Sequence, residues 1–87
     1  MVMIYRVEIE KPAAKVLAKI ATRDRVRITQ RIYALAVDPR PAGCVNLQDC
    51  DGYRIRVGNY RVIYEVGDSI HIVAVTTIGH RREVYEK

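Results

Sequence analysis

The segment "YRIRVGNYRVIYEV", Tyr53 to Val66, constrains the fold more than any other stretch of the chain. On either side of Gly58-Asn59, β-branched and aromatic residues alternate with others, the period-2 pattern of strands with one dry face. A two-residue Gly-Asn link implies a tight antiparallel hairpin. With Gly58 and Asn59 at the turn, Val57 pairs with Tyr60, Arg56 with Arg61, Ile55 with Val62, and Tyr53 with Tyr64. Alternate side chains take opposite faces, so Tyr53, Ile55, Val57, Tyr60, Val62 and Tyr64 share one surface and read as core. Arg54, Arg56 and Arg61 fall on the other face, with Arg56 directly across from Arg61.

The flanking segments supply the rest of an α+β domain. Met3 to Ile9 alternates as a strand, with Met3, Tyr5, Val7 and Ile9 on its dry face. Pro12 suits the first turn of a helix, and "AAKVLAKIA", Ala13 to Ala21, continues it with Val16, Leu17 and Ile20 as the apolar stripe. Thr22 ends this helix or caps the next. From Arg23 to Val37, Ile28, Ile32, Leu35 and Ala36 keep helical spacing, while Arg23, Arg27 and Arg31 line another face. "DPRPAG", Asp38 to Gly43, stops the second helix. The third strand run, Ile70 to Ile78, is apolar on both faces, as in the middle of a sheet, and "GDS" at Gly67 to Ser69 joins it to the hairpin. The expected order is β-α-α-β-β-β, an antiparallel helical hairpin packed on a largely antiparallel sheet. At 87 residues the whole chain, 1–87, is one domain with one modest core.

Charge narrows the partner. The net charge is +5, and the fifteen basic residues are eleven arginines and four lysines. Arginine presents a planar fork of donors suited to phosphate, so a polyanion or an acidic protein is the implied partner. Cys44 and Cys50 match no zinc spacing and read as free thiols of a reducing cytosol rather than a disulfide. "MVMIYRVEIEKP" is charged by its sixth residue and lacks a signal-peptide core, and no apolar run is long enough to cross a bilayer. The expectation is a cytoplasmic protein with no membrane partner.

Opposed like charges on a sheet are destabilising, so Arg56 and Arg61 either splay into solvent, are neutralised by an acid such as Glu65, or await an anion. Phosphate is the favoured anion, since a bidentate arginine gives it both charge and orientation. The C-terminus, "IGHRREVYEK", adds His80, Arg81, Arg82 and Tyr85 within six residues, after Gly79 as a strand breaker. A central strand ending beside the hairpin delivers them to the same edge of the sheet. Each alone also reads as an ordinary surface or packing residue.

"GYRIRVGNYRVIYEV" followed by "IGHRREVY" resembles the C-terminal half of the RelE/ParE toxin superfamily, and closely the RelE branch. The likeness extends through the N-terminal strand and helices to nearly the whole chain. It implies a toxin of a type II toxin–antitoxin system, a ribosome-dependent endoribonuclease that cuts messenger RNA in the A site. A cognate antitoxin blocks it, and the toxin alone is a monomer, with larger toxin–antitoxin assemblies and operator DNA contacts built through the antitoxin.

By position, the resemblance assigns Arg61 to the substrate phosphate, Arg81 to leaving-group or transition-state charge, and Tyr85 to stacking or activation of the 2′-hydroxyl. Arg54 and Arg56 fall where the family often has two basic residues, in some members lysines that shuttle protons, and His80 where it has a basic residue or histidine. Arg82 is left to the surface or to messenger contacts. The implied reaction is attack of a ribose 2′-oxygen on the adjacent phosphorus, with no metal or other cofactor. Arginines at 54 and 56 stay protonated, so Tyr85 is expected as base and His80 as acid or auxiliary, with Glu65 a third choice. The stripe of Arg23, Arg27 and Arg31 serves ribosomal RNA, an acidic antitoxin, or solvent. Two alternatives remain: a ParE-like poison of DNA gyrase, and an inactive member that keeps only antitoxin and operator binding.

Overall fold

The computed structural model describes residues 4–47 and 52–80. A strand β1 (Arg6–Ile9) leads into helices α1 (Lys11–Lys19) and α2 (Thr22–Ala34). Strands β2 (Val45–Asn46), β3 (Gly52–Val57), β4 (Tyr60–Gly67) and β5 (Ile72–His80) follow. They form one five-stranded sheet in the order β1-β5-β4-β3-β2, antiparallel except for the parallel β1–β5 pair. The expected α+β architecture is present, with the third strand of the second half inside the sheet. The two-residue strand β2 is an addition the sequence pattern did not disclose.

The hairpin follows its expected register, from Tyr53–Tyr64 to Val57–Tyr60. Gly58 takes φ +60 while Asn59 does not enter positive φ, the sign pattern of a type II′ turn, which requires glycine at its first position. Ile55, Val57, Val62 and Tyr64 are buried with Val73, Val75 and Ile78 of β5, and Ile28 and Ile32 of α2, with Leu35 just after it, close over them. Tyr5, Val7 and Ile9 of the first strand run pack half-buried against this core, as their alternation implies.

Several boundaries differ from the sequence reading, each for a local reason. On α1 the stripe against the sheet is Ala13, Leu17 and Ile20, at i, i+4 and i+7, and Val16 at its edge is exposed. Thr22 is the first residue of α2 and not its cap; its hydroxyl accepts from Arg25, whose guanidinium also reaches the Ala18 carbonyl near the end of α1. The link after β4 is longer than "GDS". Gly67 closes the strand, Asp68 to His71 make the turn, and His71 sits in left-handed backbone at φ 56. A Cβ on Gly67 would lie 2.9 Å from the side chain of the exposed Ile70, which would have to turn aside to admit it.

Gly79 does not break the strand. β5 runs through it to His80, with a bulge opposite Ile63 and Tyr64 that leaves Thr76 as the extra residue. The Thr76 hydroxyl donates to the Ile63 carbonyl at 3.3 Å across this irregularity. The bulge resets the facing of the strand: Val73 and Val75 point to the core, and so does Ile78 three residues on, not two or four.

Candidate functional site

The face of the sheet opposite the helices carries Arg54, Arg56 and Arg61. Across the sheet, one row reads Arg56–Arg61–Gly79 and the next but one Arg54–Ile63–Thr77. The bulge therefore sets a residue without a side chain beside Arg61, on the flank away from Arg56. Arg56 is exposed, while Arg54 and Arg61 are half-buried, and the Nε atoms of both are sealed from solvent. Guanidinium groups held by their necks on a rigid strand keep a fixed direction, which a preformed anion site requires. Glu65 shares this face but stands across from Gly52 and Ala74, beyond the residue opposite Arg54.

His80 lies elsewhere. Its register partner is Tyr60, and Tyr60 belongs to the core face with Val57 and Val62. The imidazole meets the Tyr60 ring edge-on, with centroids 5.8 Å apart and planes at 79°. The expected grouping of His80 with Arg61 is thus not one of side chains on a common face; the two occupy neighbouring rows on opposite sides of the sheet. On the helix side, Arg27 of α2 reaches the hairpin tip, its guanidinium 3.6 Å from where a Cβ on Gly58 would stand. Arg23 and Arg31 are exposed on the same helix. Arg81, Arg82 and Tyr85 lie outside the described residues, as do Cys50 and Met3. Among the described residues no group of His, Cys, Asp and Glu is arranged to hold a metal ion, and no helix is long and apolar enough to cross a membrane.

At the opposite end of the sheet a polar staple locks the scaffold. Arg40, from the loop after α2, makes a fork-to-fork pair with Asp68, at 3.1 Å to Oδ1 and 2.7 Å to Oδ2. Its Nε donates to the Tyr53 hydroxyl at 2.8 Å, and the Tyr5 hydroxyl donates to Asp68 at 2.7 Å. The Arg40 guanidinium, then the Tyr5 hydroxyl, hold the Asp68 carboxyl down at about 2. The bond to Asp68 in turn raises the Tyr5 phenol. Tyr64, stacked on Tyr53, donates to the Pro39 carbonyl at 2.7 Å, and burial, then Cys44, push its phenol up. Sequence reasoning missed this staple and the Arg27 contact, since both join segments with no shared periodicity. The Tyr60–His80 pair had a signal: two threonines between Val75 and Ile78 break strict alternation.

Compared with known protein families, residues 7–85 match the ParE toxin of type II toxin–antitoxin systems, parDE. The chain belongs to the RelE/ParE toxin superfamily. The toxin is also similar to RelE in the archaeal RelE–RelB complex from Pyrococcus horikoshii OT3, with 27% identity and a TM-score of 0.80 over 94% of this chain and 100% of that one. The isolated RelE toxin of E. coli has the same fold at 24% identity and a TM-score of 0.77, covering 87% of this chain and 83% of its own. RelE of the RelB–RelE complex from Methanococcus jannaschii does so at 24% identity and 0.71, over 90% and 94%. No curated protein sequence matches the toxin.

Proposed function

We propose that this type II toxin is a ribosome-dependent endoribonuclease that cuts messenger RNA and so halts translation. The observation that carries the reading is the row of Arg56 and Arg61 on the face of the sheet opposite the helices, with Arg54 nearby and Gly79, which has no side chain, paired with Arg61. A scissile phosphate laid over this row meets guanidinium donors where charge accumulates as the phosphorane forms.

In the proposed mechanism Arg61 grips the phosphate, and Arg54 and Arg56 bind and orient the flanking backbone. The substrate 2′-oxygen loses its proton as it attacks the adjacent phosphorus, the 5′-oxygen leaves and takes up a proton from water, and the products carry a 2′,3′-cyclic phosphate and a 5′-hydroxyl. Family resemblance assigns Tyr85 to stacking or activation of the 2′-hydroxyl, and Arg81 to leaving-group or transition-state charge; of the two roles for Tyr85, the base that takes the 2′-proton is the one proposed here. Arg81 follows His80 by one peptide bond, and His80 stands across from Tyr60, the neighbour of Arg61. Arginine at 54 and 56 is a charge donor and not a proton shuttle. Arg82 contacts messenger or solvent. The cognate antitoxin, by analogy with the RelB chains bound to RelE in related complexes, silences the toxin, which acts in the cytoplasm where ribosomes are.

The ParE match supports a second reading, poisoning of DNA gyrase, because that branch shares the fold. Primer extension on messengers after induction, with and without the antitoxin, separates the two. New breaks within translated regions, suppressed by the antitoxin, are expected; intact messages with damaged DNA overturn the nuclease reading.

A further inference from the structure

Glu65 shares a strand face with Arg61 and has no part in the mechanism above. Four residues of β4 separate the two, about 13 Å at the usual rise of a strand, with Ile63 and Thr77 filling the row between them. A general acid or base must come within about 2.6–3.2 Å of the proton it moves, so Glu65 is set too far along the strand to serve a phosphate on Arg61. What Glu65 borders is a groove. With Val66, Gly67, Ile70, Ile72 and Ala74 it encloses about 210 Å³ at the end of β4 and β5 remote from the arginines. Glu65 pairs with Ala74 and Gly67 with Ile72, and the groove exists because Gly67 and Ala74 carry only a hydrogen and a methyl group. Ile72 is half-buried beside them, and the exposed Ile70 stands over Gly67 as a wall. Across Ala74 on β1, Glu8 is engaged by Arg6 at 3.7 Å, which leaves Glu65 as the carboxylate of the rim.

An ionised carboxylate only accepts hydrogen bonds, so the occupant of this groove has an apolar body and N–H donors at its edge. Glu65 repels phosphate. An RNA strand running from the arginines along β4 therefore turns its backbone away here and a base inward. Single-stranded RNA is commonly read in this manner, by bases splayed onto the protein and hydrogen-bonded along their Watson–Crick edges. Guanine alone among the four bases sets two N–H donors side by side on that edge, N1–H and N2–H, and they match the two oxygens of one carboxylate.

We propose that this groove is a subsite for one guanine base of the message, a few nucleotides from the phosphate broken at Arg61, and that Glu65 is the residue that selects it. The inference rests on the endoribonuclease reading and deepens it, by giving the toxin a sequence preference of its own.

The test uses the purified full-length toxin and ribosomes programmed with messages that differ at a single nucleotide, each position near the break being changed in turn. Cleavage rates are read by primer extension, and a thermal melt checks the fold of each variant. At one of these positions wild type is expected to cut about 10-fold or more faster with guanine than with any other base, the scale of a bidentate base contact. Glu65→Ala is expected to erase that preference by slowing the guanine message. Glu65→Gln, whose amide suits adenine, is expected to move the preference toward adenine. Ala74→Leu, which fills the floor of the groove, is expected to erase it as well. Equal rates for all four bases at every position overturn the inference, as does a guanine preference that survives both Glu65 variants. It is equally overturned if the Glu65 variants keep the wild-type base profile but escape the antitoxin, which makes the groove a protein-binding site. A wild-type toxin that leaves every message whole instead overturns the endoribonuclease reading, and the inference with it.

Discussion

At the scale of single residues, the tension is between Arg56 and Arg61, directly opposed on neighbouring strands. Opposed like charges destabilise a sheet pair unless a counter-ion lies between them. Replacing Arg61 by Ala is therefore expected to leave the melting temperature unchanged or slightly raised while cleavage falls by about 10²–10³-fold, the usual loss when a transition-state charge donor is removed. Cleavage on programmed ribosomes beside a thermal melt checks both halves. Tyr85→Phe is expected to abolish cutting and retain ribosome binding, measured by co-sedimentation; unchanged turnover removes the phenol from the proton inventory. The arginine row was legible in the sequence because a two-residue link leaves a hairpin one register. The facing of His80 was harder to read, because it depends on a bulge at Thr76, beyond the third row from its own, signalled only by the pair of threonines.

At the scale of elements, the two ends of the sheet are held by different devices. The hairpin tip depends on Gly58 at φ +60, where any L side chain is strained. Gly58→Ala is expected to destabilise the toxin by about 1–2 kcal/mol, read from denaturant midpoints. The far end depends on Asp68, whose folded pKa of about 2 lies below that of an unfolded aspartate. A depressed carboxyl stabilises the fold fully above the unfolded value, and that contribution fades as pH falls toward 2. The stability gap between wild type and Asp68→Asn is thus expected to be constant near neutral pH and to close in acid, as denaturation at stepped pH will record. A gap as wide at pH 2 as near neutral pH rules out the charge pair as its source. None of the staple was legible in the sequence, since Tyr5, Arg40, Tyr53 and Asp68 come from four separate segments. The elements themselves were legible from periodicity and from Pro and Gly. Their ends shifted where backbone geometry overrode composition, as at His71 and Gly79.

At the scale of the whole molecule, helices pack on one face of the sheet and the arginines stand on the other, so the paired strands β3 and β4 carry the cations on the side away from the helices. With a net charge of +5, association with ribosomes is expected to weaken steeply as salt rises, and to do so less steeply once Arg54, Arg56 or Arg61 is neutralised. The account stands or falls on the arginine face of the sheet being the place where a phosphodiester is broken. The most direct test is to incubate purified toxin with programmed ribosomes and analyse the ends of the product RNA, for wild type and for Arg61→Ala. Fragments ending in a 2′,3′-cyclic phosphate, formed by wild type and nearly lost in the folded variant, are the expected result. Equal cutting by the two proteins, or none by wild type, contradicts it.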